Sequence, residues 1–105
     1  MIIYCDIDNT ICFEDREGKH YNSDPKPNNI KKINDLYDEG HIIIYYTARG
    51  TVTKIDWKEK TLNQFKEWGV KYHDLVLYKP YYDLWIDDKA VNIDCKECMK
   101  RLEKV

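Results

Sequence analysis

Apolar runs of four to six residues recur along this chain, and each ends on a polar or charged group. IIYCDI, residues 2–7, is β-branched and aromatic and nearly continuous rather than alternating, which predicts a strand covered on both faces. A polar stretch, FEDREGKHYNSDPKP, follows. In NNIKKINDLYDEGH the residues Ile30, Ile33, Leu36 and Tyr37 fall at helical spacing, and Gly40 reads as the stop. IIIYY at 42–46 predicts a second buried strand that ends in TARG. Next, TVTKIDWKEKTLNQFKEWGV places Ile55, Leu62, Phe65 and Trp68 on one face of a helix closed by Gly69. DLVLY predicts a third strand leading to Lys79-Pro80, and YDLWI a fourth, at about 82–86, ending on Asp87-Asp88. The closing CKECMKRLEKV is expected to be a helix with Met99 and Leu102 inward.

Strands alternating with helices predict an α/β domain with a mainly parallel sheet. In such a sheet the carboxyl ends of the strands share one edge, and ligands bind outside it. The pattern therefore converges on a single place. The first strand brings Asp6, Asp8 and Thr10 there, the second Thr47 and Arg49, the third Lys79, and the fourth Asp87 and Asp88.

Composition adds constraints. At 105 residues and 43% apolar content the chain is expected to form one domain with its own core. The formal charge of −2 supplies no basic field for a nucleic-acid backbone, so nucleic acid is not expected as a partner. A charged residue within six positions of Met1 leaves no room for a signal peptide or membrane span, and a cytoplasmic location is expected. Cys5, Cys12, Cys95 and Cys98 lack the second CxxC or paired His of a zinc site and read as reduced thiols in the packing. A helical CxxC redox pair is the alternative. His20, His41 and His73 have no partner spacing and read as solvated or packed. The tyrosines and tryptophans are expected in the core and on strand faces; for Tyr21, Trp57, Tyr81 and Tyr82 the alternative is the mouth of the site.

Several carboxylates gathered on one edge repel one another unless a cation sits among them. Oxygen donors alone favour Mg²⁺, which takes one or two protein carboxylates together with water and substrate phosphate. With Lys79 and the hydroxyls of Thr10 and Thr47, such a metal would receive a phosphoryl group, and an Asp could attack phosphorus while a second carboxylate moves the proton. Asn9, a residue that tolerates left-handed backbone, would let the chain leave the strand between the two aspartates.

These strand ends resemble the four motifs of the haloacid dehalogenase superfamily of phosphotransferases. Asp6-Ile7-Asp8-Asn9-Thr10 is similar to its DxDxT motif, Thr47 in YYTARG to the second motif's Thr, Lys79 to the third motif's Lys, and Asp87-Asp88 to the acidic pair of the fourth. Asp88 also precedes Asn92 at a spacing similar to the fourth motif's second acidic position. The texture DWKEKTLNQFKEWGVKYHDL followed by KPYYDLWIDDKAVN resembles small phosphatases of capsule and surface-polysaccharide biosynthesis.

The resemblance implies a Rossmann-like three-layer sandwich without a cap domain and a Mg²⁺-dependent phosphomonoesterase acting through an aspartyl-phosphate. Asp6 would be nucleophile and metal ligand. Asp8 would be general acid and base and give its carbonyl to the metal. Thr47 and Lys79 would hold the phosphoryl oxygens, with Thr10 and Arg49 as further phosphate contacts, although Arg49 could equally pair with an acidic residue. Asp87 and Asp88 would complete the metal site, one directly and one through water.

Two departures from the family pattern stand out. Lys79 precedes Asp87 by only eight residues, so either the usual helix between them has shrunk to PYY or another lysine, such as Lys71, serves. Residues 12–27 have room for a short flap and 50–54 for a loop, not for a cap. An open site suits a large substrate, or a small one enclosed by a neighbouring subunit. The expected substrate is a small phosphorylated sugar or polyol; a nucleotide or nucleic-acid-end phosphatase and a non-catalytic phosphate-binding module are the alternatives, and a homo-oligomer is possible.

Overall fold

The structure, a computed structural model, describes residues 1–14 and 23–101. The flap expected over 12–27 lies partly outside them, as do His20, Tyr21 and Leu102. In chain order the elements are β1 (Ile2–Cys5), α1 (Pro27–Asp38), β2 (Ile42–Tyr46), α2 (Lys58–Trp68), β3 (Asp74–Val76) and α3 (Lys96–Met99). The strands form a parallel sheet in the order β1-β2-β3, with Ile2 opposite Ile42, Cys5 opposite Tyr45 and Tyr46 opposite Val76.

Both crossovers run in the same direction across the sheet. Right-handed connections then put α1 and α2 on one face. Cys5, Ile43 and Tyr45 point to that face and close a core with Ile30, Ile33 and Leu36 of α1 and Phe65 of α2. The Tyr45 and Phe65 rings lie 4.9 Å apart. The helix ends follow the sequence. Pro27 opens α1, Gly40 takes φ +98° just past its end, and Gly69 caps α2 in the left-handed conformation, where its N–H donates to the Phe65 carbonyl.

The opposite face differs from expectation. Ile2 is 66% and Tyr4 62% exposed, so β1 is covered on one face only, and the described residues build two layers rather than three. The expected fourth strand at 82–86 does not form. No helix or strand occurs between β3 and α3, and Leu84, Trp85 and Ile86 face solvent. Local bonds take the place of a ladder there. Trp85 Nε1 donates to the Asp87 carboxylate at 3.3 Å, the Lys89 N–H donates to the same carboxylate at 2.9 Å, and the Tyr82 and Trp85 rings stack edge to face. Side chain to backbone closures of this kind compete with strand pairing. β1 consequently stays a sheet edge.

Two smaller corrections concern α2. The helix starts at Lys58, which leaves Ile55 exposed in the loop before it, and its fully buried positions are Thr61, Gln64 and Phe65, while Trp68 packs half-buried against the core as expected and Leu62 is half-buried. Trp57, a candidate for the mouth, is buried.

Candidate functional site

β1 and β2 end side by side and release their chains into one open cavity of about 680 Å³. Its lining includes Asp6, Asp8, Thr47, Arg49 and Lys79, together with Glu14, Gly50, Tyr81 and Tyr82. Residues from three separate strand ends thus meet at the carboxyl edge of the sheet.

The turn after β1 places the aspartates. Asn9 takes φ +64°, and the amides of Thr10 and Ile11 donate back to the Ile7 carbonyl at 3.1 and 2.9 Å. The chain therefore folds over immediately after Asp8, as the Asn suggested. Asn29 of α1 fastens this turn by donating to the Thr10 carbonyl at 2.9 Å. Thr10 itself is not part of the cavity lining. Asp6 accepts from the Ile7 N–H at 2.9 Å. Burial raises its pKa above the ordinary 3.8, and the ammonium of Lys79 pulls the other way.

Arg49 answers the question of its partner. It is 2% exposed, and its Nε and Nη2 donate to the two carboxylate oxygens of Asp8 at 3.0 and 2.9 Å. Nη1 donates to Thr61 Oγ1 at 3.0 Å and to Gln64 Oε1 at 2.6 Å. A guanidinium so engaged is a buried clamp on Asp8 rather than a phosphate contact. The expected substrate role of Arg49 gives way to a positioning one. Thr61 and Gln64 were missed by the sequence reading; their signal is two polar residues three apart, turned to the same face as Phe65.

Lys79 is fastened through its backbone. Its N–H donates to the Thr47 carbonyl at 2.9 Å, and Thr51 Oγ1 donates to its carbonyl at 2.8 Å. Thr47, fully buried, accepts on Oγ1 from the Arg49 N–H at 3.1 Å. Gly50, at φ +81°, permits the loop: a Cβ there would collide with the Ile55 carbonyl. The Lys79 ammonium lies 3.2 Å from Tyr82 Oη and over the rings of Tyr82 and Trp85, at 5.0 and 5.4 Å from their centroids. Lys71, the other candidate, binds Asp38 at 2.8 Å and takes no part in the cavity lining.

Asp87 and Asp88 lie outside the cavity lining. Hydrogen bonds from the Lys89 N–H and Trp85 hold the Asp87 carboxyl below its usual range. Among the described residues no group of three or more His, Cys, Asp or Glu is placed to hold a metal. The cavity still gathers the carboxylates of Asp6, Asp8 and Glu14, and the charge of Asp8 adds to the rise in the Asp6 pKa. Asp6 and Asp8 meet two protein cations, Lys79 and Arg49. Of the expected ligands, Asp6 fits a Mg²⁺ that draws its remaining donors from water and substrate phosphate, because its burial penalty is one that a cation relieves.

No family model and no curated protein matches the chain. Among solved structures, it is similar to a crystal structure of a target protein from Vibrio cholerae, with 21% identity over 98% of this chain and 97% of that one and a TM-score of 0.81. That likeness is one of fold: a small α/β architecture with parallel strands and helices. No helix among the described residues is long and apolar enough to cross a membrane.

Proposed function

We propose that this chain is a phosphomonoester hydrolase with a haloacid dehalogenase-like fold that works through an aspartyl-phosphate on Asp6. The observation that supports this reading is the meeting of Asp6, Asp8, Thr47 and Lys79 in one open cavity, with Lys79 hydrogen-bonded to Thr47 through the backbone.

In this reading the Asp6 carboxylate attacks phosphorus, the ester oxygen leaves, and the phosphoryl oxygens bear on the Lys79 ammonium and the Thr47 hydroxyl. Asp8 sits beside the leaving group. Since Arg49 binds both of its oxygens, the proton it gives to the alcohol must share an oxygen with a guanidinium N–H, and Arg49 fixes where that proton sits. Asp8 then takes a proton from the water that hydrolyses the aspartyl-phosphate. Mg²⁺ held by Asp6 would supply charge neutralisation for the phosphoryl group.

The cavity is open and carries Tyr81 and Tyr82 at its rim, which suits a sugar or polyol phosphate of surface-glycan synthesis. One observation favours a second reading, a phosphate-binding module without turnover: Asp87 and Asp88 stand apart from the cavity. Release of inorganic phosphate from sugar, polyol and nucleotide phosphates, with and without Mg²⁺, separates the two. Mg²⁺-dependent release that Asp6→Asn abolishes supports the hydrolase. Phosphate binding without release on any ester supports the module, and release unchanged in Asp6→Asn contradicts the assignment of Asp6.

A further inference from the structure

The four cysteines divide into two unlike pairs. Cys5 and Cys12 are buried, and burial pushes both thiols up to about 12, so at neutral pH they remain protonated and inert. Cys95 and Cys98 are only partly buried and stand outside the core. They occupy the N-cap and third position of α3, where the Cys95 side chain accepts from the Cys98 backbone. The Cys98 N–H donates to Cys95 Sγ at 3.3 Å. Hydrogen bonds from the Cys98 thiol and N–H lower the pKa of Cys95 below its ordinary 9.0, whereas Cys98 is raised. Cys95 Sγ, which receives the Cys98 N–H, is the sulfur placed to carry a thiolate, and Cys98 three residues on is its neighbour, the division of labour of an attacking and a resolving cysteine.

We propose that Cys95 and Cys98 form a redox-active dithiol that closes to a disulfide by exchange with a low-molecular-weight disulfide. The Cys95 thiolate attacks one sulfur of the small disulfide; a protein–small-molecule mixed disulfide forms and one small thiolate leaves. Cys98, losing its proton to solvent, then attacks Cys95 Sγ and expels the second small thiolate. The protein is oxidised by two electrons and the small disulfide is reduced to two thiols. This proposal stands on a different part of the molecule from the Asp6 cavity and does not depend on what that cavity does.

Glutathione disulfide serves as the probe. The intact protein is incubated with it, then denatured so that every remaining thiol is alkylated, and mass spectrometry counts and locates the labels. Wild type is expected to lose two of its four alkylatable thiols, both in the 95–98 peptide, with no glutathione retained. Cys98→Ser is expected to stop at the mixed disulfide, retaining one glutathionyl group on Cys95, and Cys95→Ser to lose no thiol at a comparable rate. Four labels on the treated wild type would overturn the proposal. So would loss of label at Cys5 or Cys12, or a glutathionyl group that persists on the wild type.

Discussion

The ends of β1 and β2 and the segment from Leu77 to Asn92 carry the same kinds of residue, yet the chain treats them in opposite ways. At the first place Asp8 is gripped by a buried guanidinium, Thr47 is buried at the cavity wall, and the turn is fastened by Asn29. In the second, Asp87 is satisfied by its own neighbours, and Ile86 is 89% exposed. The difference lies in what stands behind the polar groups. Asp6, Asp8 and Thr47 follow strands whose inward residues pack on α1 and α2, so the core fixes their position. No helix covers the second region, where Lys79 is tied to the end of β2 through its N–H on the Thr47 carbonyl. A motif at a strand end is only as precise as the strand is buried.

The sharpest way to test this contrast is Asp6→Asn. Turnover is expected to fall by about 10³-fold or more, because the nucleophile is gone. Stability is expected to rise. Since burial raises the folded-state pKa of Asp6, its contribution favours the native state below the unfolded pKa of 3.8 and is lost as pH rises through the folded value. At neutral pH the wild type therefore keeps an ionised, desolvated carboxylate that the amide does not. Thermal melts of both proteins with a chelator present should show the gain near pH 7 and none near pH 3.

Arg49→Met should have the largest effect on stability, about 3–5 kcal/mol, since it leaves Asp8, Thr61 and Gln64 facing a gap without their donor. Urea unfolding measures this. A loss under about 1 kcal/mol would show that the clamp is not the rigid half of the comparison. A milder change is Tyr78→Gly. Tyr78 sits at φ +66° and is exposed, so glycine relieves a strained backbone and loses little packing, and the midpoint should rise by up to about 1 kcal/mol in equivalent stability. The smallest effect belongs to Asp87→Asn and Asp88→Asn. Each should change stability by about 0.5 kcal/mol or less, as expected of exposed groups. If either abolishes Mg²⁺-dependent turnover while stability holds, the exposed half of the comparison takes part in catalysis after all.

Much of the first region could be read from the sequence because local signals there agree with the packing. IIIYY is β2 residue for residue, Ile30, Ile33 and Leu36 are the inward face of α1, and Asn9 adopts the left-handed turn. YDLWI misled because its composition is that of a strand, while the outcome depended on whether a partner edge and a covering helix would meet it. Periodicity carries no information about either. The two layers of the described residues were not legible for a related reason: where α1 and α2 lie follows from the order of the strands, which apolar spacing does not encode. Arg49 was visible as a candidate but not as a clamp, because Thr61 and Gln64 declare themselves only once α2 is docked.

The most direct test of the account is whether Asp6 becomes phosphorylated during turnover. A phosphate ester that the protein hydrolyses is mixed with it and quenched rapidly, the acyl-phosphate is reduced with borohydride, and the peptide spanning residues 1–14 is examined by mass spectrometry. The account predicts homoserine at position 6 in the wild type and none in Asp6→Asn. Turnover with an unmodified Asp6, or with the label on Asp8, would contradict it.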